Sequence, residues 1–265
     1  MEAIAAALLI GTASAQTATA PPDFSSAVAG WTTSVAGDFM PVKGAPSPML
    51  SDPGYPFLTN VEANARGLTP NYRIGDLSNP NLKPWVKEAM KKDNDEVLAG
   101  KIAFTPSTSC KPAGVPAFLL QPSVLFFVQT PKEVVMIQSY DSQVRHVFLD
   151  VPHSADPKPS WYGESIGHYE GDTLVVDTIG QSTKTFVDAY RTPHSDKLHV
   201  IERWKLIGSN ALEVALTVED PETYNQPWQG TLGYRKLPGA VAEAACAENN
   251  QQFDYHMPVA EKPDF

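Results

Sequence analysis

The chain has 265 residues, a formal net charge of −10 and 42% apolar residues, enough for a sizeable core in one large or two small domains. The acidic balance argues against a nucleic-acid partner, whose phosphates demand a basic face. No run of 18 apolar residues is present to span a membrane, and the 24 prolines argue for long irregular connections over a helical bundle.

The apolar stretch Ala3 to Ile10, followed by Ala13-Ser14-Ala15, fits a secretory h-region and a small-x-small cleavage pattern, although the basic n-region is missing. It predicts a signal segment over residues 1–15 and a periplasmic or secreted mature chain starting near Gln16. Residues 16–80 read as an extended or irregular arm, rich at first in Ala, Ser, Thr, Gly and Pro and later in turn signals. Such an arm could pack on a neighbouring subunit, which leaves a homo-oligomer open.

The β domain is expected over 81–265, with one accessory helix over 84–98. Proline suits the helix's first turn and Gly100 its C-terminal cap. From Val124 the hydrophobic period becomes two. About eight short strands with close connections come next, ending near Lys236. The fold class is therefore all-β: an antiparallel meander closing into a lipocalin-like barrel or a sandwich.

Five of the six histidines lie between His146 and His199, in the stretch richest in ionisable and aromatic side chains. In the hairpin Ser165 to Thr178, cross-strand pairing sets His168 beside Asp177 or Val175, depending on register; pairing with Asp177 would hold one imidazole tautomer and raise its basicity, as a general base requires. His199 and Arg203 share one strand face and Glu202 takes the other. A charge on each face means that at least one is buried with a partner, or that the lumen is polar. Arg203 or Arg191 would stabilise developing negative charge, and Tyr162 or Tyr190 could donate a proton. Asp188, Tyr190, Arg191 and His194 occupy a loop suited to a barrel mouth. Trp161, Glu164, Tyr224 and Trp228 could wall a site for an apolar or aromatic small molecule.

A nucleophile elbow, an HExxH motif and a P-loop are all missing. His146, His168 and His199 with Asp177 or Glu202 could converge on a metal, but no strand carries an i, i+2 histidine pair, so neither metal nor cofactor is assigned. Cys110 and Cys246 would form a disulfide in an exported protein, closing a loop of about 136 residues with a stabilisation of about 4–5 kcal/mol at most.

The residues Thr108-Ser109-Cys110, Trp161 to Thr178 (WYGESIGHYEGDTLVVDT), His194 to Arg203 and Cys246 to Asn250 resemble a family of secreted bacterial proteins with a GHxEGDTLVVDT-type signature. The resemblance covers about Leu82 to Asn250 and implies an exported protein without implying a reaction. A weaker similarity, to lipocalin-like barrels, concerns fold alone. The leading expectation is a cofactor-independent enzyme. His168 or His199 would be its base, oriented by Asp177, for elimination, hydration, isomerisation or hydrolysis. The alternatives are a lipocalin-like binding protein, a His-ligated metalloenzyme and a structural envelope subunit.

Overall fold

The computed structural model describes residues 20–25, 29–33, 37–58, 62, 65, 73–101, 103–121, 123–139 and 143–238. The expected signal segment and Cys246 lie outside them. In chain order come β1 (Ala29–Thr33), β2 (Met40–Pro41), α1 (Pro84–Leu98), β3 (Leu125–Gln129), β4 (Glu133–Gln138), β5 (Gln143–Leu149), β6 (Glu164–Glu170), β7 (Thr173–Ile179), β8 (His199–Ile207), β9 (Ala211–Glu219) and β10 (Trp228–Pro238). Strands β3 to β10 pair in sequence order, and β1 joins β10 to β3, closing the sheet into a barrel with β2 added on β10. The all-β barrel with an accessory helix is thus observed.

Two features depart from a simple meander. Strands β5 and β6 are parallel, with Val147 opposite Ser165 and Leu149 opposite Gly167. Residues 150–163 must therefore return from the far end of β5 to the start of β6. This crossover lies against the wall at Ser160, whose N–H donates to the Gly180 carbonyl at 3.1 Å. Gly163 ends it at φ +66°, where a Cβ would stand 2.3 Å from the Ile179 carbonyl oxygen, so only glycine fits.

The second departure is the arm. Its β1 closes the barrel, and Phe24, Trp31, Phe39, Met49 and Ile74 are all buried. The Trp31 indole N–H donates to the Phe24 carbonyl at 2.9 Å. This stretch contributes to the core of its own chain.

Alternation decides which side chains enter the barrel. Leu174, Val176 and Thr178 of β7 and Val200, Glu202 and Trp204 of β8 are buried, as are Arg145, Val147 and Leu149 of β5. Aromatic rings fill the lumen: Phe24 packs on Phe127 at 5.4 Å, Phe127 on Trp204 at 5.4 Å, and Trp204 on Tyr234 at 5.8 Å. The short 3-10 turn Ala117–Leu120 plugs one end, with all four side chains buried. The Tyr234 hydroxyl donates to the Leu119 carbonyl at 2.8 Å, tying plug to wall.

The lumen also holds an ion pair with both side chains fully buried. Arg145 Nη1 lies 2.9 Å from Glu202 Oε1. Its hydrogen bond goes to Oε2 at 3.0 Å, which also accepts the Trp204 indole N–H at 2.8 Å. Nη2 donates to Thr178 Oγ1 at 2.8 Å, and Nε and Nη2 both reach Ser165 Oγ. Together these bonds replace much of the hydration that both charges lost, while Glu202 Oε1 keeps only its ion contact with Arg145.

Arg145→Ala would leave Glu202 buried without its counter-charge. The expected loss is about 3–5 kcal/mol of unfolding free energy in urea denaturation. Arg145→Met paired with Glu202→Leu should recover most of it, since removing both charges leaves neither unpaired.

Candidate functional site

Because β7 and β8 send their alternate residues outward, Asp177 and His199 both stand on the outer face of the barrel. Their strands pair with Asp177 opposite Ile201 and Thr178 opposite Val200. His199 Nε2 lies 2.9 Å from Asp177 Oδ1. A second imidazole meets the same oxygen: His153 Nε2, from the crossover, also at 2.9 Å. His153 Nδ1 is 2.9 Å from Glu164 Oε1 at the start of β6. Glu164 in turn accepts the Ser154 backbone N–H at 2.7 Å and the Ser154 hydroxyl. On the far side, Glu219 Oε2 at the end of β9 stands 3.6 Å from His199 Nδ1. Acid and imidazole thus alternate along one line: Glu164, His153, Asp177, His199, Glu219.

The line is half-buried, with side-chain exposures of 20% for His153, 35% for Asp177 and 30% for His199. Partial burial pushes the Asp177 carboxyl up, but the hydrogen bonds from His199 and His153 outweigh it and hold the group below its ordinary value. The Asp177 hydrogen bond raises His199 above its ordinary value, against the opposing effect of burial. Glu164 is held low, chiefly by the Ser154 hydroxyl. Ile166 and Ile201 face Asp177 from either side in the strand register, an apolar shelf beside the charged line.

Asp177, His199 and Glu164, all expected from the sequence, therefore meet. His168 does not join them. The β6–β7 register sets Ile166, not His168, opposite Asp177 and sets His168 opposite Val175. His168 instead contacts Glu170 Oε1 at 3.1 Å, and Arg203 donates to the other oxygen of Glu170. His146 sits on β5 with Glu133. His146, His168 and His199 therefore stay apart on the wall. Among the described residues no group of three His, Cys, Asp or Glu side chains is placed to hold a metal ion.

The remaining expected residues have other surroundings. Glu202 is in the lumen with Arg145. The Asp188 carboxylate accepts the Tyr190 and Thr192 N–H groups and the Thr192 hydroxyl, folding its own loop. Tyr190 contacts the Ser51 hydroxyl at 2.9 Å, and burial pushes its phenol up to about 12. Arg191 is buried and donates to the Arg73 carbonyl at 3.2 Å. His194 meets Thr185 Oγ1 at 2.8 Å, and burial lowers its proton affinity. Tyr224 and Trp228 pack edge to face at 6.3 Å.

Trp161 lies under Lys111, and Tyr162 packs edge-on against Phe118. Tyr162 lines a recess of about 10 Å³ with Gln138 and Gln143. That space suits one water and falls far short of the roughly 300–1,000 Å³ of ordinary ligand sites. The polar residues expected at a barrel mouth thus mainly fasten loops to the wall.

Sequence reasoning missed His153 as a site residue, since it lies in a proline-rich connection. Its partners come from strands ten and more residues further on.

No known family model, curated protein or solved structure matches this chain.

The signs of the shifts define a pH window. Asp177, held below its ordinary 3.8, contributes stability that is full above that value and is lost as the pH falls through its folded value. His199, raised above its ordinary 6.5, contributes stability that is full below that value and is lost as the pH rises through its folded value. The difference in Tm between the native protein and Asp177→Asn should therefore be largest between about pH 4 and 6.5, shrinking on both sides. Calorimetric scans across that range check it.

Proposed function

We propose that this protein is a cofactor-independent acid–base enzyme whose site is the imidazole–carboxylate line on the outer face of the barrel. The observation that carries the reading is the 2.9 Å contact between His199 Nε2 and Asp177 Oδ1. Asp177, held ionised, accepts the Nε2–H and fixes the tautomer with its lone pair on Nδ1. That nitrogen faces Glu219 at 3.6 Å, beyond hydrogen-bond reach, and is the one available to take a substrate proton. The partner is a small molecule with an apolar or aromatic portion, resting on Ile166 and Ile201 beside the base. The chemistry is a proton transfer leading to elimination, hydration, isomerisation or hydrolysis. Three carboxylates border the line and disfavour an anionic substrate. Export to the periplasm or beyond, with Cys110 joined to Cys246, belongs to the same proposal.

A second reading, a structural barrel within an envelope assembly, draws on the filled lumen, the docked arm and the exposed apolar side chains Val128, Val144 and Phe148 on the wall.

The test is a panel of neutral and cationic small aromatic substrates covering the four reaction classes. For any that responds, His199→Gln should lower turnover by about 10²–10⁴-fold, and the rate should rise with pH through a midpoint above 6.5. No member of the panel turned over faster by the native protein than by His199→Gln would refute the catalytic reading and leave the structural one.

A further inference from the structure

Asp177 does not serve His199 alone. The same Oδ1 atom lies 2.9 Å from His153 Nε2, and the other nitrogen of His153 lies 2.9 Å from Glu164. With both nitrogens against carboxylates, His153 offers no lone pair to a substrate. An imidazole donates at both nitrogens only when each carries hydrogen, and it then bears a positive charge. Because the two imidazoles share one oxygen, their Nε2 atoms lie within about 6 Å of each other.

We propose that His153 is a positioning residue for the His199 base. It acts through Asp177 and is anchored by Glu164, so that the crossover 150–163 sets the orientation and the titration of an imidazole on another strand. The proposal rests on the acid–base reading.

Three features make the coupling strong. The first is the rigid seat of His153. Glu164 opens β6 immediately after the glycine-dependent turn at Gly163, and the Ser154 N–H and hydroxyl both hold its carboxylate. The second is the single shared oxygen: moving His153 moves the acceptor of the His199 N–H. The third is the charge balance. Among the described residues, the charged partners of the two imidazoles are Glu164 on β6, Asp177 on β7 and Glu219 on β9, all acidic. Against that acidic set, a proton on either imidazole disfavours a proton on the other.

The experiment is a proton NMR pH titration of the imidazole ring protons in the full chain, with the His199 resonance assigned by its loss in His199→Gln. In His153→Gln, which keeps a hydrogen-bonding side chain and removes the imidazole, the His199 curve should shift as a whole. Its midpoint should move up by about half a pH unit, the scale of one unit charge at this distance in a half-exposed site. A residue that only braces the loop would leave the midpoint in place. An unmoved His199 midpoint in His153→Gln overturns the proposal. Coupling observed without turnover on the substrate panel would count against the enzyme reading alone.

Discussion

The buried pair of Arg145 and Glu202 settles which face of each strand looks outward. Two charges withdrawn from water are tolerable only when each meets the other and their remaining donors and acceptors are filled. Here that requirement ties β5 to β8 across the lumen and draws in Ser165 of β6, Thr178 of β7 and Trp204 of β8. Shifting any of these strands by one residue would expel its member of the network and turn its outward residues in. His199, Arg203 and Asp177 face solvent because their neighbours Glu202 and Thr178 must face the lumen.

That constraint also explains why the barrel is filled rather than hollow. The ion pair occupies one part of the lumen and the aromatic series from Phe24 to Tyr234 another, while Phe118 and its neighbours close an end. The line of Glu164, His153, Asp177, His199 and Glu219 lies outside the lumen, on the wall. The parallel β5–β6 step shapes that wall. It forces a crossover over the outer face and brings His153 down onto Asp177.

The outward line combines opposed proton affinities in a small space: a carboxyl held low and an imidazole held high around one hydrogen bond. Environments that push neighbouring groups apart in this way are characteristic of acid–base sites. The Glu170–Arg203 contact on the same wall uses similar residues, but about half of each side chain is exposed. Water screens such a pair and the His168 contact beside it.

Much of the fold was legible in the sequence. Period two from Val124 onward marked eight strands, and the proline-led segment marked the helix, because alternation and helix start signals are local properties. The presence of charge on both faces of His199 to Trp204 already called for a buried partner for one of them or a polar lumen. The identity of that partner was not readable, since Arg145 lies 57 residues away. The pairing register of β6 and β7, which gives Asp177 to Ile166 and denies it to His168, depends on how the hairpin seats against the lumen. The placement of His153 depends on the handover from antiparallel to parallel pairing. The sequence by itself determined the elements, their amphipathic faces and the stretch in which ionisable groups gather. Closure of the barrel decided which of those groups touch, because contacts between distant residues arise from register and topology, and neither is written in any local window.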